Sequence, residues 1–178
     1  SSSRRAGAPR LGAVERDSRA YRLLAPEHPA AEVRRVARGR ADSALEALAQ
    51  VIAGDDVATA VHDARKDLKK LRALLRLVHG GIDPRLRRAE NVRYREAARL
   101  LAPTRDADVC LATLHGLPAV GGGGRHALER ALERERARTT PVTVREAAVS
   151  ALAAVAAGRA AIPDWDLASD GWELLAPG

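Results

Sequence analysis

His62, Arg65, Lys66, Lys69, Lys70, Arg72 and Arg76 crowd into one short run of the chain, separated by steps of one to four. Imidazole, ammonium and guanidinium groups spaced in this way suit a shared task, the grip of an anion that carries many charges. On a helical wheel of about 100° per residue with His62 at zero, Arg65, Lys69, Arg72 and Arg76 fall within about 80° on one side. Lys66 and Lys70 fall within about 80° on the other, so the seven groups share one face. Ordinary amphipathic helices relieve such a face with Asp or Glu three or four residues away. Here Asp63 and Asp67 alone do so, and no acid occurs between Lys69 and Arg76. Cations packed along about 20 Å of helix repel one another unless an anion neutralises them. Arginine grips phosphate with a planar fork and lysine with a mobile point charge. All three lysines of the chain are at 66, 69 and 70, and the mixture suits an extended, flexible chain of phosphates.

A second stripe repeats the design. With Arg88 at zero, Arg95 and Arg99 fall within about 20° of it, opposite Leu86, Ala97 and Leu101. Two adjacent antiparallel helices joined by a short turn would present both stripes to one groove.

Other chemistry is poorly supported by these residues. His62, His79, His115, His126 and Cys110 offer no pair at a recognised metal-ligand spacing, so no metal is expected and His62 is assigned to hydrogen bonding with phosphate. Asp106 and Asp108 stand at a helix start, where capping and the orientation of Arg105 explain them better than magnesium or acid catalysis. No glycine-rich phosphate cradle at a strand-helix junction and no nucleophile beside a base can be identified, so the expectation is a binding module, not an enzyme, with no cofactor. Two rivals use the same basic face: non-specific nucleic-acid binding through backbone phosphates, and a scaffold for an acidic protein partner. The scarcity of aromatics weighs against single strands, which favour stacking platforms.

The elements that must position these groups are helices. Val33, Val36, Ala37, Ala44, Leu45, Leu48, Val51 and Ile52 recur at helical steps from Pro29, and Gly54 ends the run. Asp55 or Asp56 caps a second helix that runs to His79 and stops at Gly80 and Gly81. Its packing side takes Val57, Ala60, Ala64, Leu68, Leu71, Leu75 and Val78. Asp83-Pro84 opens a third helix to about Ala102, Asp106 a shorter fourth through Leu114, and the four glycines 121–124 form a loop. A fifth helix over 125–139 mixes both signs of charge and reads as a solvated face. The last, rich in Ala and Val, follows Pro141 and ends near Gly158.

These signals give an all-α antiparallel bundle of about six helices. Residues 1–28 read as a flexible leader or linker, 29–161 as the bundle, and 162–178 as an irregular linker leading elsewhere. The chain holds 178 residues with a net charge of +7, enough to bury a core and basic enough to favour polyanionic partners. Phe and Met are absent while hydrophobic residues reach 46%, so the core is expected to be aliphatic Leu, Val and Ala. With no apolar run near the roughly 18 residues of a spanning helix and no secretory signal, a cytoplasmic protein without membrane contact is expected.

The run Val61-His62-Asp63-Ala64-Arg65-Lys66-Asp67-Leu68-Lys69-Lys70-Leu71-Arg72 resembles the opening of the CHAD family, the conserved histidine alpha-helical domain. Arg105-Asp106-Ala107-Asp108-Val109 resembles that family's Arg-Asp-x-Asp-Val element. The resemblance implies two related four-helix bundles around a basic channel, the binding of inorganic polyphosphate, and often an upstream triphosphate tunnel (CYTH) domain. By position, His62, Arg65, Lys66, Lys69, Lys70 and Arg72 would line the channel, with Arg76, Arg95, Arg99 and Arg105 beside them. A second half with its own His-x-x-Arg helix is missing here, so the chain would supply half a channel, completed by a longer protein or by self-association. Location at polyphosphate granules is a further implication of the resemblance.

Overall fold

The computed structural model describes residues 20–23, 28–102, 110–111, 113–117, 123–138 and 140–167. It is an all-α bundle. Its helices are α1 (Pro29–Ala53), α2 (Val57–Leu77), α3 (Pro84–Leu100), α4 (Gly123–Arg138) and α5 (Pro141–Ala161), followed by a 3₁₀ turn, Ile162–Asp164. A further helical stretch at 113–116 lies between α3 and α4.

Local chemistry sets most of the boundaries. Gly54 takes a left-handed φ of 88° and donates its N–H to the carbonyls of Gln50 and Val51, closing α1 as a glycine C-cap does. Asp83 caps α3, its carboxylate accepting from the Arg85 N–H at 2.7 Å, with Pro84 in the first turn. Thr140 caps α5 by accepting from the Thr143 N–H at 3.2 Å. Asp56 departs from the capping role expected of it. Its backbone is left-handed, φ 37° and ψ 55°, where a capping residue is extended, and its side chain makes no cap hydrogen bond.

The four helices α1, α2, α3 and α5 form a closed ring in which each packs on two neighbours, α1 on α2 and α5, α3 on α2 and α5. Val33, Val36, Ala37, Ala41, Ala44, Leu48 and Val51 supply the buried side of α1. Ala60, Val61, Ala64, Leu68, Leu71, Leu74 and Leu75 supply that of α2, close to the division read from the wheel. Each large aliphatic side chain so buried stabilises the fold by about 1.5–3 kcal/mol.

Three sequence expectations are corrected here. The core is not purely aliphatic, since Trp165 and Tyr94 head its largest fully buried side chains, at 1% and 0% exposure. Gly158 does not end the last helix: α5 continues to Ala161, and Gly158 is buried against Tyr94. The stretch Val142–Asp164, 23 residues, is long and apolar enough by length and composition alone to cross a membrane. Its Val144, Ala148, Ala151 and Val155 are buried in the bundle core.

Residues 162–167, read beforehand as linker, pack on the bundle. Ile162, Trp165 and Leu167 join the core, Arg34 of α1 donates to the Trp165 carbonyl at 2.7 and 3.2 Å, and Leu167 forms an antiparallel bridge with Ile82 in the α2–α3 turn. Helix α4 stands outside the four-helix ring. It is tied to residues 113–117 by Arg125, which donates to the carbonyls of Leu114 and Leu117, and by a 2.7 Å contact between His115 and Glu129.

Candidate functional site

Because the packing half of α2 is anchored by Ala60, Val61, Ala64, Leu68, Leu71 and Leu75, the opposite half is held outward. His62, Lys66, Lys69 and Arg76 are exposed, and Arg65, Lys70 and Arg72 are half-buried along the two edges. The seven groups therefore occupy one face and its margins.

The two edges meet different neighbours. Arg72 donates through Nε to Asn91 Oδ1 on α3 at 3.1 Å, tying this edge of α2 to the next helix. On the opposite edge, Asp67 is nearly enclosed and accepts from Arg40 of α1 at 2.9 Å, with the Lys70 ammonium at 3.5 Å. The wheel had assigned Asp67 to relieving the cations of its own helix. Its nearer partner is an arginine from another helix.

Compensation along the face is uneven. Lys66 donates to Asp63 one turn back, and that bond, aided by the nearby charges of Lys66, His62 and Lys70, holds the Asp63 carboxyl below the usual range. On α3, Arg95 and Arg99 share one carboxylate, Glu96, at 2.9 and 3.5 Å. The Glu96 carboxyl is held down first by its hydrogen bond from Arg95. This local acid was missed when the second stripe was read, although Glu96 stands beside Arg95 in the sequence and three residues before Arg99. Such exposed pairs are worth little in stability and are broken readily by a better anion. Lys69 and Arg76 carry no ion pair and no side-chain hydrogen bond among the described residues. Arg88, the reference of the second stripe, donates to the Pro84 carbonyl at 3.2 Å, and Arg105 lies outside the described residues, as do Asp106 and Asp108.

The helical ring presents an arginine-rich and lysine-rich face from its second helix, which carries the motif at 61–72. A family model described as the CHAD domain matches residues 17–169, most of the chain. The chain belongs to the CHAD family. No curated protein and no solved structure matches it. Within this CHAD domain the matched span includes the α2 face, the α3 stripe and the Trp165 closure. It also takes in Tyr21, a residue of the N-terminal segment that sequence reasoning left out of the site. The Tyr21 hydroxyl donates to the Lys70 carbonyl at 3.3 Å, and the Lys70 ammonium stands 5.4 Å from the centre of its ring. Arg40, likewise unassigned from sequence, reaches the same place from α1 through Asp67. No one-dimensional signal marks either residue, since their neighbours come from a different element.

Proposed function

We propose that this CHAD domain holds inorganic polyphosphate, or a closely similar linear polyanion, along the α2 face and the adjoining arginines of α3, without transforming it. The observation that carries the reading is that Lys69 and Arg76, exposed on a helix whose packing side is fixed, make no ion pair and no side-chain hydrogen bond among the described residues. Around them Lys66 is paired with Asp63, and Arg95 and Arg99 with Glu96, local acids on the same helices. A phosphate polymer offers one charge every few ångströms and can replace those weak pairs together, at the entropic cost of one molecule. Arg72 donates to Asn91 of α3 and so links the two helices that carry these cations.

Duplex nucleic acid would use the same phosphate contacts, and an acidic protein segment would meet the same charge. Against single strands, Tyr94 and Trp165 are enclosed in the core, so neither supplies a stacking surface. The deciding measurement is affinity for long-chain polyphosphate, duplex DNA and heparin, matched in total charge, at about 150 mM salt. Tighter binding to polyphosphate is expected, with an affinity that falls steeply as salt rises. Equal affinities would reduce the face to general basicity. The variant Lys69→Glu with Arg76→Glu should lose at least about tenfold in polyphosphate affinity, a loss of about 1.4 kcal/mol, while its circular dichroism stays unchanged. Retained affinity in that variant would remove α2 from the site.

A further inference from the structure

Residues 20–23 lie across the bundle beside the basic face and are fastened there. Arg35 of α1 donates to the carbonyls of Arg22 at 2.6 Å and Ala20 at 3.4 Å. Arg35 is itself gripped by both oxygens of Glu32 at 2.9 Å. Leu23 packs on the core. Between these anchors Tyr21, 45% exposed, turns toward α2, where its hydroxyl reaches the Lys70 carbonyl and its ring underlies the Lys70 ammonium. Burial pushes the Tyr21 phenol up, against the opposing charges of Arg40 and Arg76. The ring therefore lies beside Lys70 of the basic face.

Lys70 is drawn two ways. On one side Asp67 accepts from Arg40 at 2.9 Å and makes a longer ion pair, 3.5 Å, with the Lys70 ammonium, so its charge is shared between two cations. On its other side the face of a tyrosine ring attracts a cation without neutralising it. A lysine side chain otherwise surrenders much rotamer freedom when it binds. An ammonium already seated on a ring has surrendered part of that freedom.

Resting on the polyanion reading above, we propose that Tyr21 is a positioning residue of the site: its ring holds the Lys70 ammonium ready for phosphate while Arg40 satisfies Asp67 beneath. Residues 20–23 then form one wall of the binding face, and the ring, occupied by an ammonium, is no platform for a nucleobase.

The test is a double-mutant cycle in the intact chain, read as affinity for long-chain polyphosphate. Tyr21→Leu should weaken binding by about three- to tenfold, and Tyr21→Phe, which keeps the ring, should bind like the parent. In a Lys70→Gln background Tyr21→Leu should cost nothing further. Equal losses in Tyr21→Leu and Tyr21→Phe, or full additivity with Lys70→Gln, would overturn the proposal. A ligand-free readout separates its failure from that of the polyphosphate reading. The Lys70 ε-methylene protons should show an upfield ring-current shift by NMR that disappears in Tyr21→Leu. Absence of that shift in the parent sinks the Tyr21 role even if polyphosphate binds. Its presence in a parent that ignores polyphosphate sinks the site reading and the positioning role with it, leaving only the contact.

Discussion

Glu90 is the residue whose chemistry is most at odds with its surroundings. It is buried at 2% exposure on the inner side of α3, paired through one oxygen with Arg93 at 3.2 Å. Its Oε2 and the Tyr94 hydroxyl have no partner in hydrogen-bond geometry among the described residues. Burial raises the Glu90 carboxyl above the ordinary range, and the opposing pull of Arg93 and of the nearby Tyr94 hydroxyl is the smaller effect. A carboxyl raised in the folded state favours folding fully only below its unfolded value, about 4.3, and loses that contribution as pH climbs through the folded value. At neutral pH Glu90 therefore costs stability. Glu90→Gln should raise the melting temperature at pH 7, and the gain should shrink toward zero near pH 4. A lower melting temperature at pH 7 would mean that the Arg93 pair outweighs desolvation. The face residues show the reverse contrast, since their acids are exposed and held down by local cations. Nothing in residue type distinguishes Glu90 from Glu96. Only the packing of α3 makes one a strained core group and the other a surface partner.

At the scale of the element, α5 illustrates how a residue signal can be read correctly as type and wrongly as role. Gly158 resembles a helix stop, and a glycine there costs the helix about 1 kcal/mol relative to alanine. A Cβ at this position would lie 2.6 Å from the Tyr94 hydroxyl oxygen and 2.9 Å from two ring carbons, closer than atoms can approach. The ring is fully enclosed, so overpacking at about 1–3 kcal/mol should outweigh the propensity gain. Gly158→Ala is thus expected to lower stability in urea melts, and Tyr94→Leu with Gly158→Ala should be more stable than the two separate losses predict. Stabilisation by Gly158→Ala alone would show that α3 and α5 separate easily. The start of α2 teaches a related lesson. Two aspartates in a row promised a cap, yet the left-handed turn at Asp56 aims its carboxylate elsewhere, because the chain must reverse sharply after Gly54.

Over the whole molecule, the segment after α5 packs into the core of the helical ring. Trp165 fills the core, its carbonyl is held by Arg34, and Leu167 bridges to Ile82. Trp165→Ala should destabilise the bundle by about 3–5 kcal/mol, the usual cost of deleting a buried large aromatic, and the loss should be visible as a fall in the denaturant midpoint without a change of helicity at low denaturant. A cost below about 1 kcal/mol would mean that the tail merely rests on the surface.

Residue order by itself determined most of the helices, since their periodicity, Gly54, the prolines and Asp83 are local signals, but Gly123, Gly124 and Gly158, which read as loop or stop, are helical. It also determined that α2 has a cationic side and an apolar side, because a regular helix converts spacing into direction. The motif at 61–72 was legible for the same reason. Which acids quench which cations was left to the tertiary structure: Arg40 from α1 takes Asp67, Asn91 from α3 takes Arg72, and Tyr21 seats Lys70. The places of Trp165 and Gly158 were likewise decided there. These pairings join residues far apart along the chain, and their energies depend on distances of a few ångströms that no spacing along one helix encodes.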